Sequence, residues 1–154
     1  MISARFLESS ELDRLRPDWE QLYAMQYEQG LTLRVPIDGF ELWVGSIEAQ
    51  LGRFAVVAVA EESGEIAGFV AARFRTALPY LGGQPIGYVS EVFTKATFRN
   101  LGIAARLLDM VVDWFRQQGI KRLELHVAVN NADGLRFYER HGWRAELMQL
   151  VLGV

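Results

Sequence analysis

Hydrophobic positions along this 154-residue chain change period twice, and each change marks a change of predicted structure. After a strand-like stretch from Ile2 to Leu7, Leu12, Leu15, Trp19 and Leu22 recur at the spacing of a helix face. Pro17 falls inside that run and predicts a kink or a fresh helix start, with Gly30 as the stop. A second helix is predicted after Asp38, which has Glu41 at capping-box spacing. It turns Phe40, Trp43, Ile47 and Leu51 inward and ends at Gly52.

The period then becomes that of strands. Phe54 to Glu61 and Ile66 to Phe74 are apolar or β-branched runs separated by Glu62-Ser63-Gly64-Glu65, which reads as a hairpin. Leu81-Gly82-Gly83-Gln84-Pro85 is a second turn, leading into a strand from Ile86 to Thr94. Helical spacing returns at Leu101, Ala104, Leu108, Val111 and Phe115, with Gly119 as the C-terminal cap. Leu123 to Val127 reads as a short strand, Asp133 to Arg140 as a short helix closed by Gly142, and Trp143 to Leu152 as a final strand region. Antiparallel hairpins followed by a β-α-β-α-β tail predict one α+β domain spanning residues 1–154, with helices on both faces of a sheet. That order excludes a doubly wound dinucleotide-binding fold.

Composition narrows the function. Hydrophobic residues make up 51% and charged residues 23%, which excludes disorder. The longest apolar runs, such as Phe54 to Ala60, are too short to cross a bilayer, and Met1 to Arg5 does not lead into a signal-peptide core, so a cytoplasmic protein is expected. With a net charge of −3 and no basic stripe, a nucleic-acid partner is not expected. The chain has no cysteine, which excludes disulfides, thiolate zinc sites and cysteine nucleophiles; with two histidines, no metal is expected.

The segment Val89-Ser90-Glu91-Val92-Phe93-Thr94-Lys95-Ala96-Thr97-Phe98-Arg99-Asn100-Leu101-Gly102-Ile103-Ala104 carries the chemistry. A strand passes through a short turn into a long helix whose first turn is predicted at Arg99 to Ala104. The first amides of a helix lack internal partners and lie at the positive end of its dipole. Small residues at 102 and 104 would let an anion approach those amides, and Arg99 adds charge, so a phosphate or pyrophosphate site is one reading. Close helix–sheet packing at Gly102 and Ala104 is the other.

Arg-x-x-Gly-x-Ala after a strand resembles the coenzyme A pyrophosphate loop of the GNAT superfamily of N-acetyltransferases. Asn131-Ala132-Asp133-Gly134-Leu135-Arg136-Phe137-Tyr138-Glu139-Arg140-His141-Gly142-Trp143 is similar to that family's later motif. Ala104 replaces the commoner Gly, and Gly134 stands where Ala is usual. The resemblance implies a mixed, mostly antiparallel sheet of about six to seven strands with helices on both faces. It implies acetyl-CoA as cosubstrate and a small-molecule or peptide amine as acceptor.

On this resemblance, the amides of Asn100, Leu101, Gly102, Ile103 and Ala104 would hold the pyrophosphate, helped by Arg99. The backbone of Val92, Phe93 and Thr94 would pair with the pantetheine arm as a peptide augments a sheet edge. Asn131 would hydrogen-bond the cosubstrate or, equally, cap the following helix. Glu91 is the candidate general base, acting directly or through water: an attacking amine must be neutral, and a lysine-like amine has a pKa near ~10.4. Strand alternation puts Glu91 on one face with Val89 and Phe93, where apolar neighbours would raise its pKa. Its alternatives are positioning a cationic substrate or pairing with Arg73 or Arg75. Tyr138 is the candidate general acid for the departing thiolate; the alternative is a core tyrosine. His126 and His141 read as structural, and Trp19, Tyr23, Tyr27 and Trp43 as mostly core, some of them lining an acceptor pocket. Besides an enzyme, an acyl-CoA-binding sensor without turnover fits these motifs, as does a homodimer built on the Leu78–Pro85 hairpin and the C-terminal strand.

Overall fold

The computed structural model describes all 154 residues. β1 (Ser3–Phe6) leads through a 3-10 turn (Ser9–Leu15) into α1 (Arg16–Glu28), with Pro17 in the first helical turn, where a missing N–H costs nothing. α2 (Gly39–Ile47) follows, extended by a 3-10 turn over Glu48–Gln50. β2 (Ala55–Glu62), β3 (Glu65–Thr76) and β4 (Pro85–Thr94) form the central meander. α3 (Ile103–Gln117), β5 (Leu123–Leu125) and α4 (Ala132–Arg140) complete the regular elements. No helix is long and apolar enough to cross a membrane.

The five strands lie in chain order, β1-β2-β3-β4-β5, antiparallel except for the parallel β4–β5 pair. Five replaces the six to seven expected, because the region from Trp143 to Leu152 forms no strand. No backbone group from Arg144 to Leu152 bonds to another backbone group, so the segment joins no edge of the sheet. The α+β class, the mostly antiparallel sheet and the helices on both faces stand.

Each face of the sheet has its own core. Val57, Val59, Phe69, Ala71 and Phe93 face α1 and α2, whose Trp19, Leu22, Phe40, Trp43 and Ile47 close over them. Val56, Ala58, Ala60, Val70, Ala72 and Val89 face α3, which contributes Leu107, Leu108, Val111 and Phe115. Because both faces are covered, β2 reads as a continuous apolar run rather than an alternating one. Each fully buried side chain of this size contributes roughly 1.5–3 kcal/mol.

One local expectation changes. Asp38 occupies the N-cap of α2 without a side-chain cap bond, and Glu41 pairs instead with Arg16 of α1. A capping box forms at the 3-10 turn, where the Glu8 amide donates to Glu11 Oε2 at 3.1 Å. The hairpin between β2 and β3 turns on Ser63 and Gly64, both in the left-handed region (φ 52° and 78°).

Candidate active site

The site begins at a β-bulge. Ala71 of β3 pairs with Glu91 while the next residue, Ala72, pairs with Val89, so Ser90 is the extra residue on β4. The bulge overturns the expected alternation. Glu91 shares the α1–α2 face with Phe93, whereas Val89 packs beneath α3 on the opposite face. Had β4 alternated strictly from Val89, with Ser90 paired as an ordinary strand residue, Glu91 would point at α3.

The bulge also ends the pairing between β4 and β5. The parallel register runs only through Gly87–Leu123, Tyr88–Glu124 and Val89–Leu125, after which the strands diverge. A cleft of about 850 Å3 opens between them. Val89, Ser90, Val92, Phe93 and Thr94 line one wall, and Leu125 to Ala128 the other. From Ser90 onward the β5-facing edge of β4 is free for an extended ligand.

At the far end of this cleft the chain turns into α3. The helix starts at Ile103, so Arg99 to Gly102 form the preceding loop and not its first turn. Asn100 (φ 64°) and Gly102 (φ 75°) are both left-handed, which folds the loop into a concave array of N–H groups. None of the amides from Asn100 to Ala105 donates to a protein acceptor; the first helical bond is Arg106 N–H to Gly102 O, at 3.0 Å. The space above Gly102 is open, with no heavy atom within 4 Å of where a Cβ would stand. A polyanion such as a pyrophosphate therefore fits this loop on charge and on space. Arg99 reaches back to the Thr94 carbonyl at 3.4 Å and lines the cleft mouth, whereas the Leu101 side chain faces solvent.

Glu91 lies behind the cleft wall, only 3% exposed. Its Oε2 accepts the Tyr23 hydroxyl at 2.7 Å, and its Oε1 accepts Trp43 Nε1–H at 3.1 Å and the Ser90 hydroxyl. Burial pushes its pKa up, against these three donors, which favour the charged form. No arginine bonds it: Arg73 donates to Ser46, and Arg75 stacks over Tyr88 at 3.7 Å. Ser90 lines the cleft and Glu91 does not, so the carboxylate meets the cleft through the Ser90 hydroxyl.

Tyr138 lines the cleft from α4, half-buried between Phe137 and Trp143. Its hydroxyl bonds no protein group, and burial pushes its pKa up to about 12, so it is a neutral donor at physiological pH. Asn131 caps α4, its Oδ1 accepting the Gly134 amide at 3.0 Å. A Cβ at residue 134 would come within 2.4 Å of Asn131 Nδ2, which accounts for Gly at that position.

A family model described as the acetyltransferase (GNAT) family matches residues 16–143. The chain belongs to that family. It is 28% identical over 85 residues to an uncharacterized N-acetyltransferase of Methanocaldococcus jannaschii, a match spanning 55% of this chain and 37% of that relative. Its fold is similar to that of a predicted acetyltransferase from Clostridium acetobutylicum solved with acetyl-CoA, with a TM-score of 0.82 at 21% identity, covering 99% of this chain and 96% of that one. It is also similar to the aminoglycoside N-acetyltransferase AAC(6')-Iy in complex with CoA, with a TM-score of 0.78 at 18% identity over 100% and 94% of the two chains. For glucosamine-6-phosphate N-acetyltransferase from Arabidopsis thaliana the TM-score is 0.70 at 19% identity over 99% and 98%.

Sequence reasoning named Glu91 but missed what surrounds it. Tyr23 and Trp43 read as packing aromatics, and their polar ends hold the carboxylate. Tyr88, whose hydroxyl is 2.9 Å from Nδ1 of the cleft residue His126, gave no signal at all. His141 lies at the end of α4, its Nδ1–H donating to the Phe137 carbonyl at 2.8 Å. No three His, Asp or Glu side chains converge where a metal ion could sit.

Proposed function

We propose that this member of the GNAT family transfers an acetyl group from acetyl-CoA to a primary amine of a small molecule, amino acid or peptide. One observation carries the proposal: a single bulge opens the β4 edge beside the unpartnered loop amides and seats a buried carboxylate one hydroxyl away from the cleft. Acetyl-CoA supplies a thioester whose carbonyl carbon takes the amine nitrogen. The loop amides from Asn100 to Ala104, with Arg99, hold the anionic end, and the free main chain of Val92 to Thr94 orients the extended arm. Glu91 accepts the proton that the amine loses, by way of the Ser90 hydroxyl, and the shielded, high-pKa carboxylate suits a base working near neutral pH. Tyr138 donates to the departing sulfur, giving the thiolate a proton or a strong hydrogen bond. The amine nitrogen thus gains the acyl group and loses one proton, and the cosubstrate leaves as a thiol.

Incubating the protein with acetyl-CoA and a panel of amines, amino acids and peptides tests this reading through thiol release. Amine-dependent release is expected. Tight acetyl-CoA binding with no release for any acceptor would support the sensor reading instead.

A further inference from the structure

On the α1–α2 face of the sheet, two arginines stand beside Glu91. Ala71 of β3 lies opposite Glu91, and two residues further on Arg73 lies opposite Tyr88. Arg75 follows on the same face, another ~6.7 Å along the strand. Arg73 is half-buried and touches α2 through Ser46 Oγ, to which it donates at 3.3 Å. Arg75 lies over the Tyr88 ring at 3.7 Å, and the Tyr88 hydroxyl is 2.9 Å from Nδ1 of His126, which lines the cleft. The gap between β4 and β5 opens just past the Tyr88–Glu124 and Val89–Leu125 pairs. A molecule resting on this face therefore reaches the cleft at Ser90.

Neither guanidinium is paired with a carboxylate, because the acids on this face are engaged elsewhere. Glu91 holds Tyr23, Trp43 and Ser90, and Glu124 holds Arg122 at 2.7 Å. Stacking uses the face of a guanidinium and leaves its N–H edge free, so Tyr88 fixes Arg75 without consuming its donors. Burial raises the pKa of Glu91 and of Tyr23, and the Arg73 charge opposes the rise at both, so Arg73 is within electrostatic reach of the reacting groups. Two free positive charges here are unfavourable for a simple amine. It arrives from water mostly as ammonium, which the arginines repel, and Arg73 weakens the base that must deprotonate it. An acceptor that brings its own anion reverses both effects.

We infer that the acceptor is a small amine carrying an anionic group, a carboxylate or a phosphate, which Arg73 and Arg75 receive while its nitrogen stands at Ser90. The inference rests on the acyl-transfer reading and narrows its acceptor. A guanidinium fork matches the paired oxygens of either anion, and the order Glu91, Arg73, Arg75 along the face orients the molecule with its nitrogen toward the base. The anion also neutralises the Arg73 charge, which leaves Glu91 a stronger base once the acceptor is bound. Short acceptors reach Arg73, and longer ones reach Arg75.

Thiol release from acetyl-CoA with matched acceptors tests it: amino acids against their carboxamides, and aminoalkyl phosphates against the corresponding amino alcohols. With kcat/KM expressed per neutral amine, the anionic member of a pair is expected to be favoured by about 10-fold or more, and the two sets separate a carboxylate from a phosphate. Arg73→Gln and Arg75→Gln should each raise the KM of that acceptor, the larger effect about 10-fold or more, and bring the ratio within the pair toward one. The acetyl-CoA dissociation constant should stay unchanged. Arg73→Lys, which keeps the charge and loses the fork, should restore part of the preference. Both members of a pair use Glu91 alike, so any change in Glu91 cancels in the ratio, and a merely structural arginine leaves the ratio where it was. Release that is equal within every pair, or greater for the neutral member, overturns the inference and leaves acyl transfer standing. A preference that survives both substitutions overturns it as well. No release with any acceptor overturns the acyl-transfer reading and this inference with it.

Discussion

The Tyr23 hydroxyl donates to Glu91 Oε2 at 2.7 Å, joining the middle of α1 to the bulge of β4. With Trp43 of α2 on the other oxygen, both N-terminal helices fix the orientation of one carboxylate. Burial lifts the Glu91 pKa, and it pushes that of Tyr23 far above the ordinary phenol value, with the neighbouring Glu91 charge second. Of the two, Glu91 is the member that can exchange a proton.

Glu91→Gln should lower kcat by about 10²-fold or more while acetyl-CoA affinity changes little, since a proton acceptor is lost and the shape is kept. The deficit should shrink as pH rises and more amine is neutral. A uniform deficit, with only the acceptor KM raised, reassigns Glu91 to substrate positioning. Stability carries a second signature. The folded pKa lies above the unfolded value of ~4.3, so the folded state retains the proton longer and wild-type stability falls as pH rises through that window. Melting curves from pH 4 to 8 should show the Glu91→Gln variant losing less stability with pH than the wild type.

Ser90→Ala should separate the relay from the base. It removes the hydroxyl between Glu91 and the cleft and one of the three donors favouring the carboxylate anion. Turnover should fall by about 10-fold or more, and the acidic limb of the kcat/KM profile should move to higher pH, because a lost donor raises the Glu91 pKa further. An unchanged profile with unchanged kcat would show that Glu91 communicates with the cleft by another route.

Much of this arrangement is legible in the sequence because it is local. Pro17 marks the start of α1, the Ser63-Gly64 turn marks a hairpin, and Gly102 marks the turn that leads from β4 into α3, each within a few residues. The bulge at Ser90 is not legible, since it exists only as a register against Ala71 and Ala72 of β3. Alternation therefore groups Glu91 correctly with Phe93, which follows the bulge, and wrongly with Val89, which precedes it. Tyr23 and Trp43 sit at helix-face spacing, so their hydrophobic bodies conceal the polar ends that bind Glu91. The final stretch from Trp143 to Leu152 has a strand's composition, but composition does not supply the edge a strand must pair with.

Millimolar acetyl-CoA should raise the melting temperature, because a ligand bound only by the native state stabilises it. Gly102→Glu should abolish that shift. A carboxylate would stand in the open space above the loop and repel the anion, and a non-glycine residue at φ 75° is strained by about 1–2 kcal/mol. Gly102→Ala controls for the strain, lowering the apo melting temperature similarly while keeping part of the shift. If the Gly102→Glu variant binds acetyl-CoA like wild type, the anion lies elsewhere.

Tyr138→Phe distinguishes proton donation from packing with a single oxygen atom. The ring sits edge-on to Phe137 at 5.3 Å and to Trp143 at 6.2 Å between centroids, and phenylalanine preserves both contacts. The hydroxyl bonds no protein group, so its removal should leave the melting temperature of the free protein essentially unchanged. If the phenol serves the departing thiolate, kcat should fall by roughly 10²-fold and acetyl-CoA affinity should hold, the pattern of an interaction made as the thiolate leaves. The effect should be greatest with acetyl-CoA and should shrink with an acyl donor whose leaving group is more acidic than an alkyl thiol, such as an activated aryl thioester. Full activity of the Tyr138→Phe variant with acetyl-CoA would mean that solvent protonates the sulfur and that Tyr138 only walls the cleft.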